Sequence, residues 1–488
     1  MVGEWIVAAF GDVPRLARLD QVNGWQFGLY LAVGIACGAA VAFVNPVYVF
    51  AALAGLIAAA IVLRSTQWGL YAVIGVVTLL PFAAVPLNVG FNPTFLDLAT
   101  LGLYFVWFAR LMTRRQERPV GSPLSLPLLG FMLLAVFAFV AGLAHAGLTR
   151  DTLRHFVELL LAIGVFFVVV NVVQEQRQLE GTVRVLILVG FVAAAVGVFL
   201  WVLPDDTALR LLRPLARLNY VVKLRYIEDN PSLPERAIGT SSDPNVFGGL
   251  LIIVTALTAV QLFTRRPLLP RPLLWAMTAT MGVCLLLTFS RAAMLGLATA
   301  LIVIAFLRYR RMLWWIAIAG ILILLLPQTQ GYVIRLVEGL RVQDLATKMR
   351  LGEYKDAFIL ISRYPWFGVG FAGTPDIDLY IGVSSFYLLL AEQMGLVGLA
   401  AFLIVMGLFF TTGLDAYRRT TDEQVAAILL GCIAAMVGAM LDGFLDHYFV
   451  NLDFPHSVTL FWLTVGLTMV AVRLTGEAAG QTSTLAPS

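Results

Sequence analysis

The feature that most constrains this chain is the way its charges are segregated. From residue 26 to residue 474, runs of mostly apolar residues alternate with shorter segments that hold nearly all the Lys, Arg, Asp and Glu. Crossing about 30 Å of hydrocarbon takes about 20 such residues as a helix. Fourteen runs qualify or come close, near residues 26–44, 47–63, 68–86, 94–112, 124–143, 153–173, 183–203, 245–263, 273–289, 292–307, 313–326, 385–410, 425–441 and 457–474. Charged residues are only 13% of the chain against 60% hydrophobic, with a mean hydropathy of +0.89, so no soluble fold could cover the apolar surface. In lipid each segment must satisfy its own backbone groups, which makes the expected fold all-α and polytopic.

Positive charge sets the expected orientation, because short cytoplasmic loops retain Lys and Arg. With both termini inside, 18 of the 33 basic residues fall in cytoplasmic segments, including Arg110, Arg265, Arg308 and Arg418. Twelve more lie in two long outer segments, 204–243 and 327–383, and only Arg150, Arg154 and Arg291 remain for the other outer loops. The expected organisation is a cytoplasmic segment 1–25, helices 1–7 over 26–203, and a periplasmic loop 204–243. Helices 8–11 over 244–326, a large helical periplasmic loop 327–383, helices 12–14 over 384–474 and a disordered cytoplasmic tail 475–488 follow. Residues 1–25 lack the long apolar stretch of a cleaved signal, so the first span is the expected insertion signal.

Several function classes fall away at this stage. A net charge of +4 is too small for a nucleic-acid-binding field, so no nucleic-acid partner is expected. Cys37, Cys284 and Cys432 all lie within apolar runs, where cysteine acts as a small hydrophobe rather than a disulfide or zinc ligand. The loop DGFLDHYFVNLDFPH gathers Asp442, Asp446, His447, Asp453 and His456, but without metal-ligand spacing, so no metal is expected.

The outer segments carry the candidates for chemistry. Residues 208–220 have leucines at helical spacing with arginines between them and read as a short interfacial helix, membrane anchoring being the plainest use for it. Residues 332–363 read as two helical pieces meeting near Gln343; the second offers Arg350, Glu353, Tyr354 and Asp356 and ends before Pro365. The glycines of PWFGVGFAG permit a tight return path and lack the context of a nucleotide loop. Arg291 interrupts an apolar stretch from Leu273 to Leu307 that makes two short spans of about 25 Å each at 1.5 Å per residue. Its tip should therefore sit recessed, where an arginine either snorkels to headgroups or holds an anion such as a lipid pyrophosphate. Asp243 before Pro244 reads as an N-cap, and Arg236 could pair with any of six nearby acids. Glu392 lies about 12 Å along its helix from Ser384 and must be protonated or partnered.

Taken together, GTSSDPNVFGG (239–249), LLTFSRAAMLG (286–296), RLGEYKDAFILISRYPWFGVG (350–370) and SFYLLLAEQMGLVGL (385–399) resemble the O-antigen ligase and O-antigen polymerase superfamily of membrane glycosyltransferases. The resemblance covers most of residues 236–400. It implies a GT-C-like, all-helical enzyme in the bacterial inner membrane, with its active site facing the periplasm and no metal or other cofactor. The implied partners are an undecaprenyl-diphosphate-linked oligosaccharide, membrane lipids and, optionally, a chain-length regulator.

Arg291 and Arg350 match the family's diphosphate-binding arginines, with Arg236 as a third candidate ligand. Ligases of the superfamily carry a histidine, then Asn, Ser or Gln, nine residues and GxxG; here Ser385, Gly395 and Gly398 fit, but Ser384 stands at the histidine position. Serine is no ordinary general base. His447, Asp446, Asp442 and Glu392 are the candidates for that role, and the departure favours a polymerase over a ligase. A lipid-linked oligosaccharide flippase is the rival from another class, although basic residues gather here at the outer face rather than at a midplane cavity.

Overall fold

The computed structural model describes residues 65–85, 92–113, 120–325, 330–342, 345–373 and 382–484; the expected spans 26–44 and 47–63, the segment 1–25 and Cys37 lie outside them. The described chain is helical. In order, the helices are α1 (Thr66–Leu79), α2 (Phe95–Met112), α3 (Ser125–Gly142), α4 (Arg150–Val172), α5 (Gln176–Val202) and α6 (Asp205–Leu212). They are followed by α7 (Pro244–Phe263), α8 (Arg271–Leu287), α9 (Arg291–Leu307), α10 (Met312–Leu325), α11 (Gln330–Leu340) and α12 (Leu345–Arg363). The last three are α13 (Phe386–Arg419), α14 (Glu423–Asp442) and α15 (Pro455–Thr484). Among the described residues eight of these are long and apolar enough to cross a membrane, and α1, α8, α9 and α10 are shorter apolar helices.

Packing follows the apolar pattern. Helix α7 is apolar on every side and buried from Val246 to Leu262, enclosed by α5, α8, α9 and α14. Helices α9 and α14 touch backbone to backbone at Gly296 and Gly438, where a Cβ on either would meet the other's carbonyl oxygen at 2.8 or 2.6 Å. Small residues permit such approach where lipid supplies no hydrophobic drive between helices. At the periphery α2, α3 and α10 expose Phe105, Phe108, Leu126, Leu133, Trp314 and Trp315, as lipid-facing surfaces must.

Hydrogen bonds gather the connections at two ends. The Arg265 amide donates to Glu423 Oε1 at 3.0 Å, Arg308 pairs with Glu423 at 3.8 Å, and Gln176 donates to Asp422 at 3.2 Å. Arg473 donates to the Val170 and Val173 carbonyls at 2.9 and 2.7 Å. The opposite end is tied by Arg154 to Asp97 at 3.3 Å and by Phe386 N–H to the Gly443 carbonyl at 2.8 Å.

Three expectations need adjustment. The interfacial helix expected over 208–220 is α6 alone, and the chain passes into a 3-10 turn over Arg213–Leu218 because Pro214 cannot continue the α-helical ladder. Helix α15 continues to Thr484 through residues expected to be a disordered tail, with Glu477, Ala478 and Ala479 being good helix formers. The span expected as continuous from 385 is broken at Gly395, whose φ of 67° and ψ of −175° are open essentially to glycine alone. The Pro365–Gly370 turn fills that break. Leu396 and Val397 donate to the Pro365 and Trp366 carbonyls at 2.7 and 3.3 Å, while Val369 and Gly370 donate to those of Glu392 and Gln393 at 2.8 and 3.0 Å. A broken helix survives at such depth because protein backbone satisfies the freed groups.

Candidate functional site

The site is assembled at the Asp97 end from three separate segments. The tight turn Thr288–Phe289–Ser290 joins α8 to α9, and Ser290 caps α9 by accepting the Ala293 amide at 3.4 Å. Arg291 is therefore the first residue of α9. Its side chain is half-buried, lies against the backbone of Gly339 in α11 and donates to Thr347 Oγ1 in α12 at 3.4 Å. The recessed tip expected from the sequence is thus covered by α11 and α12.

The second segment is a short hairpin. Strand β1 (Arg225–Tyr226) pairs antiparallel with β2 (Glu235–Arg236), placing Arg225 opposite Arg236. Arg236 Nε donates to the Thr288 carbonyl at 2.7 Å and Nη2 to Asn245 Oδ1 at 2.6 Å, fastening the hairpin to the α8–α9 turn. Burial pushes the Arg236 guanidinium down to about 10, opposed by the negative charges of Asp243 and Asp446, so it stays cationic at neutral pH. Asp243 caps α7, accepting the Asn245 and Val246 amides at 2.8 and 3.1 Å, which is the structural role its sequence context suggested.

Arg350 comes from α12, which is held by its neighbours on the same face. Glu353 accepts the Ser384 amide at 2.9 Å, and the Tyr354 hydroxyl donates to the carbonyls of Ser384 at 3.2 Å and Phe444 at 3.0 Å. Ser384, at the position where the ligases carry histidine, is thus bound through its backbone on both sides. The break in α13 and the turn that fills it fix the far end of α12, so the glycines of PWFGVG position an arginine rather than cradle a phosphate.

Arg236, Arg291 and Arg350 all line one cavity of about 1360 Å³. Its wall also includes Phe263 and Met312, at the opposite ends of α7 and α10, together with Trp275 and Trp315. The chamber is therefore charged at the Asp97 end and apolar along α7 to α10.

The remaining candidates divide. Asp442 and Asp446 are buried, Asp442 accepting the Tyr448 hydroxyl and Asp446 Oδ1 accepting the His447 amide at 2.9 Å. Burial raises the Asp446 carboxyl above the usual carboxylate range, with His447 and Arg350 opposing. The His447 ring sits beside it, Nδ1 3.7 Å from Oδ1. Glu392 stands apart: it is buried just before the break in α13, nearest in charge to Asp356 and Glu353, and does not line the cavity. His456 is buried among Phe82 and Phe454. Among the described residues no three His, Cys, Asp or Glu side chains converge as metal ligands.

Arg225, Tyr226, Glu228, Asp229 and Glu338 also line the cavity and carried no distinguishing mark in the sequence. With six basic and six acidic residues in segment 204–243, only the hairpin register singles out Arg225.

No curated protein matches the chain. Residues 276–403, which contain Arg291, Arg350, Ser384, Glu392 and Gly395, match the family model described as O-antigen ligase, and this places the chain in the O-antigen ligase and polymerase superfamily.

Proposed function

We propose that this protein is a polysaccharide polymerase that transfers a glycan from undecaprenyl diphosphate onto the non-reducing end of a second lipid-linked repeat unit. The observation that carries the reading is the shape of the cavity. Three arginines from three separate segments meet at one end of a chamber whose other wall is apolar over the length of α7 to α10, which suits an isoprenoid lipid with a doubly phosphorylated head. Among the described residues neither Arg236 nor Arg350 is in an ion pair, so their charge is available to an anion.

In the reaction the bond between the anomeric carbon and the diphosphate oxygen breaks, and the acceptor hydroxyl oxygen bonds to that carbon. The hydroxyl proton passes to a base, and undecaprenyl diphosphate leaves as an anion. Arg291, Arg350 and Arg236 stabilise the charge growing on the leaving group. Asp446, behind Arg350 and beside His447, is the base best placed to serve the acceptor; Glu392 is remote from the arginines' cavity. A leaving group that is already a stabilised anion needs no strong acid, and on this reading no metal. The topology proposed with it is GT-C-like, fourteen spans with both termini in the cytoplasm and the arginine end in the periplasm, supported by the gathering of Arg265, Arg308 and Arg473 at the Glu423 end.

The family description favours the ligase alternative, transfer to lipid A-core or to protein, whereas Ser384 in place of the ligase histidine favours polymerisation. Reconstituting the purified protein with an undecaprenyl-diphosphate oligosaccharide and sizing the products decides it. Growth of chains on the carrier lipid is expected. A capped second acceptor with unpolymerised donor would make the enzyme a ligase, and transbilayer movement of unaltered donor would make it a flippase.

A further inference from the structure

The β1–β2 hairpin extends the cavity beyond the arginines, and this has a consequence for substrate choice that rests on the donor reading above. A polyprenyl-diphosphate glycan is linear in its chemistry: tail, two phosphates, then sugar. The cavity repeats that order. Its apolar wall follows α7 to α10, its arginines stand at the helix ends, and Arg225, Tyr226, Glu228 and Asp229 form the wall on the hairpin, which carries Arg236 in its second strand.

We propose that this hairpin, through Tyr226, Glu228 and Asp229, contacts the first sugar attached to the diphosphate and sets which donor glycan is accepted. Its side chains have the chemistry for it. Carboxylates accept hydrogen bonds from sugar hydroxyls, Arg225 donates them, and an aromatic face packs on sugar C–H groups.

Its rigidity supports the assignment. Leu224 is buried with Leu200, Ala208 and Leu212 in a small apolar cluster of its own, against which Tyr226 packs. The Tyr226 hydroxyl donates to Asp205 at 2.5 Å, the Trp201 indole donates to the Glu235 carbonyl at 3.0 Å, and Asp229 is braced by Arg225 at 3.4 Å and Lys223 at 3.6 Å. Glu228 and Asp229 are exposed, so no burial accounts for their place in the wall, yet the hairpin presents them from a fixed frame.

The test uses full-length protein in nanodiscs, titrated with undecaprenyl diphosphate alone and with undecaprenyl diphosphate bearing one hexose or one N-acetylhexosamine. Losing two hydrogen bonds in Glu228→Gln/Asp229→Asn should weaken the better-bound sugar-bearing probe about tenfold and the bare diphosphate less than about twofold. These amide replacements keep the exposed side chains' size, and an unchanged melting temperature verifies the fold. Equal changes on all probes would assign the hairpin to the diphosphate, and no change on any would make it a brace; either outcome overturns the proposal. Wild-type protein that binds none of the probes would instead refute the donor reading of the cavity, and the hairpin's role with it.

Discussion

Two groups of arginine stand at the same end of the molecule and are treated in opposite ways. Arg154, on α4, is closed off by Glu158 at 2.6 Å and Asp97 at 3.3 Å, the latter fixed by a capping box with Thr94. Arg236 hydrogen-bonds only a carbonyl and an amide, and Arg350 has Asp442 and Asp446 near enough to act on it but is in no ion pair among the described residues. An arginine that has spent its charge on carboxylates ties helices together, whereas one surrounded by neutral groups in a cavity wall keeps its charge for a ligand.

The sharpest way to break this contrast is a conservative substitution on each side. Arg291→Lys keeps the charge and loses the planar fork, so transfer should fall about 100-fold or more while the protein folds normally. Arg154→Lys should leave transfer within about twofold, since a point charge still serves an ion pair. Equal losses, measured as product formed per unit of folded protein, would erase the distinction.

The second prediction concerns what holds Arg350 in place. A methyl group at Gly395 would meet the Trp366 carbonyl carbon and oxygen at 2.2 Å in a conformation closed to alanine. Gly395→Ala should cost about 3 kcal/mol in thermal unfolding and lower transfer through displacement of α12. Thr94→Ala, which removes the capping box on the ion-paired side, should cost about 1 kcal/mol and leave transfer alone.

Arg154→Ala is a third test and a smaller one. It strands Glu158, which is buried at the end of α4, and should cost about 2 kcal/mol with little effect on transfer. Arg350→Ala should show the reverse pattern, with little change in melting temperature and a large loss of transfer. A thermal shift assay beside the product assay reads both.

How much of this was legible beforehand follows from the kind of signal each feature leaves. The spans were visible because burial in lipid demands long apolar runs, and every one of the twelve expected within the described residues coincides with a helix. The break at Gly395 was not, since a glycine inside an apolar run reads as ordinary span and the turn that fills the gap lies about 30 residues earlier in the chain. Arg291 stood out because a charge between two short apolar runs has few uses. Arg225 did not, because a four-residue ladder brings it opposite Arg236 and nothing in its own segment marks it. Glu392 was conspicuous for depth alone, and depth did not bring it to the cavity.

The last test separates charge held for chemistry from charge held for structure by its pH dependence. Burial raises the Asp446 carboxyl, so the folded protein holds that proton to a higher pH than the unfolded chain does. Below the unfolded value the protonated form's stabilisation is fully present, and it is lost as pH rises through the folded value, so stability should decline with rising pH in that window. Transfer should move the other way if Asp446 is the base, rising with pH as the carboxylate forms, with its acidic limb above the ordinary carboxylate range. Asp446→Asn should therefore flatten the pH dependence of the melting temperature and remove most of the transfer at every pH. A variant that keeps wild-type turnover and loses only the stability slope would move Asp446 to the structural side of the comparison, with Arg154 and Glu158, and leave His447 as the group to examine for the acceptor's proton.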